Sequence, residues 1–160
     1  MKNHLFKPPR LVLLIKPKAF AIIRGDKAHP KLHGKVYFYE AYKGVLMMIE
    51  LNNLPYDTSP CASNIYAMHI HEGNSCQTDT DRPFIKAGGH FNPENCPHPA
   101  HAGDLPPLFS NHGYACQTFY TELFSTDEIK VRTIIIHAQR DDFTTQPSGD
   151  AGVRIGCGVI

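Results

Sequence analysis

The sequence lacks a strong excess of charge, and this limits the partners that it can attract. Its 160 residues carry 16 lysines and arginines against 15 aspartates and glutamates, so the formal net charge is +1 with neutral histidines. Nucleic acid, anionic membranes and strongly acidic proteins are usually bound by chains with a large charge of one sign. We therefore expect no nucleic-acid partner and no membrane partner.

Long apolar runs are also missing. None approaches the ~20 residues that a membrane-spanning helix requires. Near the N-terminus the apolar stretch Leu11–Ile15 stops at Lys16, whereas the apolar region of a signal peptide has about 7–15 residues. We interpret residues 1–18 as an N-terminal extension and residues 19–160 as a single domain. A cytoplasmic location is the prediction, and export to the periplasm through a processed leader is the alternative.

What the sequence does contain is a series of strand patterns. Runs rich in β-branched and aromatic residues are separated by turn residues, and a short strand is also expected to begin at Asp104. The runs cover residues 19–23, 35–42, 44–51, 65–71, 114–120, 131–138 and 153–160. Ser125 followed by Glu128 forms a capping box, which predicts one helical turn. The pattern predicts an all-β antiparallel sandwich or barrel.

Two long segments without strand pattern lie between these runs. They are Glu72–Gly103 and Gln139–Gly152, and both are rich in glycine, proline, asparagine, aspartate and histidine. Loops of this length are uncommon in compact domains and usually carry function. We expect both loops on one side of the sheet structure.

The segment "YAMHIHEGNSC" places two histidines in a strand-like run, at positions 69 and 71. Side chains two residues apart in a strand point to the same face. Burying two imidazoles on one apolar face is costly unless their nitrogens are satisfied. A metal ion would satisfy them.

Further potential ligands occur where the loops meet the strands. A lone histidine in such a place is more often solvated or hydrogen-bonded in the core than bound to metal, but the joint pattern favours metal. Imidazole suits copper and zinc, and a carboxylate among imidazoles also suits zinc. Seven candidates exceed the four ligands of one tetrahedral ion, which indicates two ions with a shared ligand. The candidates are His69, His71, His90, His98, His101, Asp104 and His137.

Four segments resemble the copper–zinc superoxide dismutase family, especially its bacterial members. They are "HIHEGNSC", "GGHFNPENCPHPAHAGDLP", "IIIHAQRDDF" and "GDAGVRIGCGVI", and the resemblance runs from about Ala19 to the C-terminus. It implies a Greek-key barrel of about eight strands, copper and zinc as cofactors, and dismutation of superoxide to dioxygen and hydrogen peroxide. The family resemblance assigns copper to His69, His71, His90 and His137, and zinc to His90, His98, His101 and Asp104.

The same resemblance implies roles for five residues of the site. His90 would bridge the two ions and supply a proton, and Arg154 would receive the superoxide anion beside copper. Asp141 would link a copper-ligand histidine to a zinc-ligand histidine, and such outer partners fix the orientation of a ligand. Cys76 and Cys157 match the family's disulfide. Taken alone, Asp141 could be a loop-turn carboxylate and Arg154 a surface salt-bridge residue.

The sequence also departs from the family pattern. Only two residues separate His98 from His101, so the zinc loop is short and His98 is the least secure ligand. Cys61, Cys96 and Cys116 have no counterpart in the pattern, and five cysteines are an odd number. We expect these three as free buried thiols, with a Cys96–Cys116 bridge as the alternative.

Two other functions are compatible with a histidine-rich β-domain. One is metal storage or delivery without turnover, against which the complete copper set and Arg154 argue. The other is a zinc-only structural or adhesion domain, for which the pair at His69 and His71 would be unnecessary. The sequence leaves open whether the protein forms a homodimer.

Overall fold

The computed structural model describes residues 16–79 and 81–160, so most of the predicted N-terminal extension lies outside the described residues. This part of the chain contains nine strands and one short α-helix. The elements are β1 (Ala19–Gly25), β2 (His33–Ala41), β3 (Gly44–Asn52), β4 (Ile65–Tyr66), β5 (Met68–His71), β6 (Leu108–Phe109), β7 (Ala115–Thr121), α1 (Thr126–Ile129), β8 (Thr133–His137) and β9 (Arg154–Val159). No helix among these residues is both long and apolar enough to cross a membrane.

Seven of the strands form one antiparallel sheet in the order β5-β8-β9-β1-β2-β3-β7, and β4 pairs with β6 in a second, two-stranded sheet. Strands β1, β2 and β3 are consecutive hairpin partners, and β9 returns from the far end of the chain to pair with β1. A meander with a late strand beside its first strand is Greek-key connectivity. The predicted all-β antiparallel class is confirmed.

The alternation of apolar side chains explains why these strands close around one core. In β1 and β2, Ala21 lies opposite Val36, and Val36 in turn lies opposite Ile49 of β3. All three are fully buried, while their sequence neighbours point outward, as the two-residue period of a strand requires. The core therefore lies inside the curved sheet, and the two long loops cover one part of its outer surface.

Two predicted strands differ from the structure. The run 65–71 is divided at Ala67, whose N–H donates to the Gln139 carbonyl at 2.7 Å and whose carbonyl accepts from the His137 N–H at 2.9 Å. The short strand begins at Leu108 rather than at Asp104, which forms only an isolated bridge with His69. Two prolines follow Leu105, and proline cannot donate to a strand ladder. Regular pairing therefore starts only after them.

The helical turn and the disulfide bond are both present as predicted. Helix α1 is capped by Ser125, whose side chain accepts from the Glu128 N–H, while the Glu128 carboxylate accepts from the Ser125 N–H at 2.7 Å. Cys76 and Cys157 are joined across a sequence separation of 81 residues. The bond fastens the first loop to strand β9.

The prediction that Cys61, Cys96 and Cys116 are free thiols is confirmed, but the prediction that they are buried is wrong. All three cysteines are free, but Cys61 and Cys116 are exposed and Cys96 is partly exposed. Cys116 lies on β7 opposite Glu50 of β3, on the outward side of the sheet. Cysteine is a small apolar residue that usually lies inside, and here the strand's alternation places it outside.

Candidate metal centre

Strand β5 carries the histidine pair on the side of the sheet that the loops cover. Its alternate residues Met68 and Ile70 belong to the main core, so His69 and His71 point the opposite way. Both imidazoles are nevertheless buried, with exposures of 0% and 1%. One edge of β5 pairs with β8, and the other makes bridges from His71 to His90 and from His69 to Asp104. His90 of the first loop and Asp104, which directly follows this loop, therefore lie beside the pair.

His137 approaches the same point from the end of strand β8. The pairing of β8 with β9 is irregular between Ile136 and His137. The Nε2 atoms of His137 and His71 lie 3.4 Å apart. On the far side of each ring, Nδ1 meets a backbone carbonyl, Gly152 at 3.3 Å for His137 and Gly88 at 3.0 Å for His71. Because a carbonyl can only accept, each Nδ1 donates, and each Nε2 keeps its lone pair toward the other.

The first group of candidate ligands contains four imidazoles. One ligand atom from each lies within 4.8 Å of the others, and all four residues are buried. His69 Nδ1 and His90 Nε2 are buried without a hydrogen-bond partner in the described chain. Buried polar atoms are rarely left unsatisfied, so both atoms indicate a ligand at this point. The members are His69, His71, His90 and His137.

The second group contains three imidazoles and one carboxylate, namely His90, His98, His101 and Asp104. The Nδ1 atoms of His90 and His101 lie 3.3 Å apart, and Asp104 Oδ1 lies 2.7 Å from His90 Nδ1. His98 Nδ1 is 3.0 Å from Asp104 Oδ2 but has no hydrogen bond to it. His90 thus belongs to both groups, with Nε2 in the first and Nδ1 in the second.

The buried carboxylate of Asp141 connects the two groups. Its Oδ2 lies 2.8 Å from His69 Nε2, and its Oδ1 lies 2.9 Å from His98 Nε2. Burial raises the pKa of Asp141, but hydrogen bonds from His69, from the Phe143 N–H and from His98 outweigh it and bring the pKa to about 2. The ionised carboxylate holds the outer nitrogen of each ring, which leaves Nδ1 of both rings for a ligand.

The electrostatics of the first group favour neutral imidazoles at His71 and His137. Burial, followed by the nearby imidazole of His69, lowers the pKa of His137 to about 3. Burial and the neighbouring His137 lower the pKa of His71 well below its usual range. A metal binds only the deprotonated nitrogen of a histidine. These two side chains are therefore ready for a metal at neutral pH without first losing a proton.

The donor atoms fit the two ions that the sequence predicts. Four imidazole nitrogens suit copper, and three imidazoles with one carboxylate suit a four-coordinate zinc. The unsatisfied nitrogens of His69, His90 and His98 all belong to these groups. The structure brings together every residue for which the sequence predicts metal ligation.

Arg154, at the start of β9, lies in a cleft of about 400 Å³ beside the first group. The lining residues of this cleft are His71, Gly89, His90, Asn92, His101, His137, Pro147, Ser148, Gly152 and Arg154. The guanidinium donates from Nη1 to the Phe84 carbonyl at 2.7 Å and from Nη2 to the Gly88 carbonyl at 2.6 Å. Both carbonyls belong to the loop that the disulfide ties down, so the bond to Cys76 also supports the position of Arg154.

Sequence reasoning missed some of the groups that hold these side chains. The Gly88 carbonyl accepts from both His71 and Arg154, but a backbone carbonyl has no residue identity that a motif could reveal. Gln146 hydrogen-bonds to the backbone of His98, and a glutamine in a polar loop gives no signal of such a contact. Both contacts join segments far apart in the sequence.

A Greek-key β-barrel with two adjoining ligand groups that share one histidine defines a dinuclear metalloprotein. A sequence profile described as copper/zinc superoxide dismutase matches residues 32–160, and the chain belongs to this family.

Relatives from several bacteria support the assignment. A protein of Aquifex aeolicus named superoxide dismutase [Cu-Zn] 2 is 32% identical, with 79% of this chain and 78% of that protein aligned. The superoxide dismutase [Cu-Zn] of Brucella melitensis is 30% identical over 100% of this chain and 99% of its own length. The structure of the Cu/Zn superoxide dismutase from Brucella abortus superposes with a TM-score of 0.74 at 28% identity, covering 89% of this chain and 98% of that one.

Proposed function

We propose that this protein removes superoxide by dismutation to dioxygen and hydrogen peroxide, with copper in the first ligand group and zinc in the second. One observation carries the proposal: His90 directs Nε2 into the first group and Nδ1 into the second. A single imidazole with both nitrogens committed in this way suits two adjacent cations. Nε2 of His90 has no hydrogen-bond partner among the described residues, and Nδ1 lies 2.7 Å from Asp104 Oδ1 and 3.3 Å from His101 Nδ1.

Copper, when bound, supplies the one-electron oxidation of one superoxide and the reduction of the next, while zinc supplies no redox chemistry. The protein's task is to bind the anion and to deliver a proton. Arg154 binds the anion, because its guanidinium is permanently charged and offers planar donors to a small oxyanion. Two of its five N–H groups point to Phe84 and Gly88, and the others are available to a substrate.

His90 delivers a proton to the substrate. Its ring lines the cleft. When Nε2 is not bound to copper, it would hold one proton and pass it to the reduced anion, and water would supply the second proton of hydrogen peroxide. On the opposite side of the ring, Asp104 lies 2.7 Å from Nδ1 and sets the orientation of the imidazole. The remaining zinc ligands keep Asp104 and the first loop in place, so the second group positions the proton donor.

Metal analysis combined with a superoxide-removal assay tests the proposal. We expect about one copper and one zinc per chain, activity in the loaded protein, and none in the metal-free protein. The EPR spectrum of the copper-loaded protein should change when zinc is added, because the two ions share His90. Fully loaded protein that is no faster than free aqueous copper would contradict the proposal.

The assembly and the compartment stay predictions. Sedimentation of the purified protein would distinguish a homodimer from a monomer. Fractionation of the source cells would distinguish the predicted cytoplasmic location from the periplasmic alternative.

A further inference from the structure

His98 lies in the first loop, and only two residues separate it from His101. Its backbone is held by the other long loop. The His98 N–H donates to Gln146 Oε1 at 3.0 Å, and Gln146 Nε2 donates to the His98 carbonyl at 2.6 Å. One side-chain amide therefore satisfies both backbone groups of a residue 48 positions away in the sequence.

The ring of His98 is held by the same loop. Asp141 Oδ1 lies 2.9 Å from its Nε2, so Nδ1 is left to face Asp104. Gly149 lies against the contact between Asp141 and His98. Its N–H donates to the Thr145 carbonyl at 2.7 Å, and its φ is +68°. A Cβ at Gly149 would lie 1.9 Å from Asp141 Oδ1 and 2.7 Å from His98 Nε2. Only glycine fits there, and the loop from Asp141 to Gly149 encloses His98 from one side.

We propose that Gln146 is a positioning residue of the zinc group, which fixes the backbone of His98 so that Nδ1 faces the other three ligands. The inference rests on the proposed function, because it takes His98 as a zinc ligand. Rotation of either peptide group of His98 would break one of the two hydrogen bonds to the amide. Without them water would satisfy the same backbone groups, but water does not impose an orientation.

The segment that follows Gln146 also forms one wall of the substrate cleft. Pro147 and Ser148 follow Gln146 directly and line the cleft beside Arg154. Because Gln146 is bonded to His98, this wall of the cleft and the zinc group are held in one fixed arrangement. Gln146 thereby connects two parts of the site that belong to different loops.

Zinc affinity measured by chelator competition tests the inference without any activity assay. The variants are Gln146→Ala and Gln146→Met, the second of which keeps the length of the side chain but has no amide. Gln139→Ala is the matched control, since Gln139 is exposed in the same loop and within residues 16–79 and 81–160 its amide bonds to none of the ligands. Cobalt placed in the zinc group adds a visible spectrum that reports ligand geometry.

We expect zinc affinity about tenfold lower in both Gln146 variants, at the low end of the range for removal of an outer partner of a metal ligand. The cobalt spectrum should change in both, while copper affinity and the Gln139→Ala protein stay as in the wild type. Wild-type zinc affinity in Gln146→Met would overturn the inference, as would equal weakening of copper and zinc. If the alanine variant does not fold, Gln146→Met still decides the question. A wild-type protein without a zinc site would refute the proposed function itself, and the inference with it.

Discussion

Replacement of Arg154 by alanine tests whether one cation in the cleft captures the substrate anion. The guanidinium is partly buried, donates to the carbonyls of Phe84 and Gly88, and is not a member of either ligand group. The Gly88 carbonyl keeps its contact with His71 after the substitution, at 3.0 Å in the wild type. We therefore expect Arg154→Ala to bind copper normally and to lose activity.

The size of the loss follows from the contact that is removed. A hydrogen bond to a charged group contributes roughly 1.5–3 kcal/mol, which corresponds to a rate about 10- to 150-fold lower. Lysine at position 154 keeps the charge but not the planar pair of donors, so it cannot reach both carbonyls and a substrate in the same way. Arg154→Lys should therefore lie between the alanine variant and the wild type.

Salt dependence provides a second readout of the same charge. Among the described residues that line the cleft, Arg154 is the one lysine or arginine. Charges in solvent are screened beyond about 8 Å at physiological ionic strength, so the wild-type rate should fall as salt is added. The alanine variant should show a flatter dependence.

The assay is superoxide removal over a range of ionic strength, with copper content measured in every sample. Arg140→Ala is the control. Arg140 is exposed in the second long loop, which ends just before Arg154, but it does not line the cleft. An Arg154→Ala protein with full copper, an undiminished rate and the wild-type salt slope would refute the reasoning. Equal effects of both substitutions would show that general positive charge, rather than this contact, attracts the anion.

Three further predictions concern the disulfide, the metals and acid. Reductant should lower the thermal midpoint of the wild type but hardly that of Cys76→Ser, because a bridge across 81 residues contributes up to about 4–5 kcal/mol in the chain-entropy model; equal shifts would contradict this. His137→Ala should lose copper and activity but keep most zinc, and Asp104→Ala should chiefly lose zinc, as metal analysis of both variants would show; equal loss of both metals would argue against separate sites. The metal-free protein should lose stability as pH falls below the ordinary histidine pKa of 6.5, because His137 stays neutral in the folded state, with a pKa of about 3, while the unfolded chain takes up a proton. Between pH 6.5 and pH 5 this one group contributes up to about 2 kcal/mol, and thermal unfolding of the metal-free His137→Gln variant should depend less on pH.

The histidine pair shows what a local pattern can establish. Alternation within a strand puts His69 and His71 on one face, and the structure confirms that placement. The same rule accounts for the inward positions of Ala21, Val36 and Ile49. A local pattern is sufficient here because the two-residue period of a strand depends only on its own backbone.

Structural features that depend on distant partners could not be predicted from the local sequence. The division of the run 65–71 at Ala67 arises from hydrogen bonds to Gln139 and His137, more than 60 residues away in the sequence. The pairing of Cys116 on β7 with Glu50 on β3 is a second example. Register is a property of two strands together, so the sequence of one strand cannot specify it.

The sequence by itself determined the ligand types, their approximate number and the strand that carries two of them, since imidazole and carboxylate chemistry belongs to the side chains. Only the tertiary structure decided which nitrogen of each ring faces which group. For His69, His71, His98 and His137 that choice is made by the Gly88 and Gly152 carbonyls and the Asp141 carboxylate. The carbonyls are chemically the same in every residue, and all three groups reach their partners across at least 15 positions of the chain. A hydrogen bond of this kind exists only after the chain has folded, and so its partners cannot be read from the order of the residues.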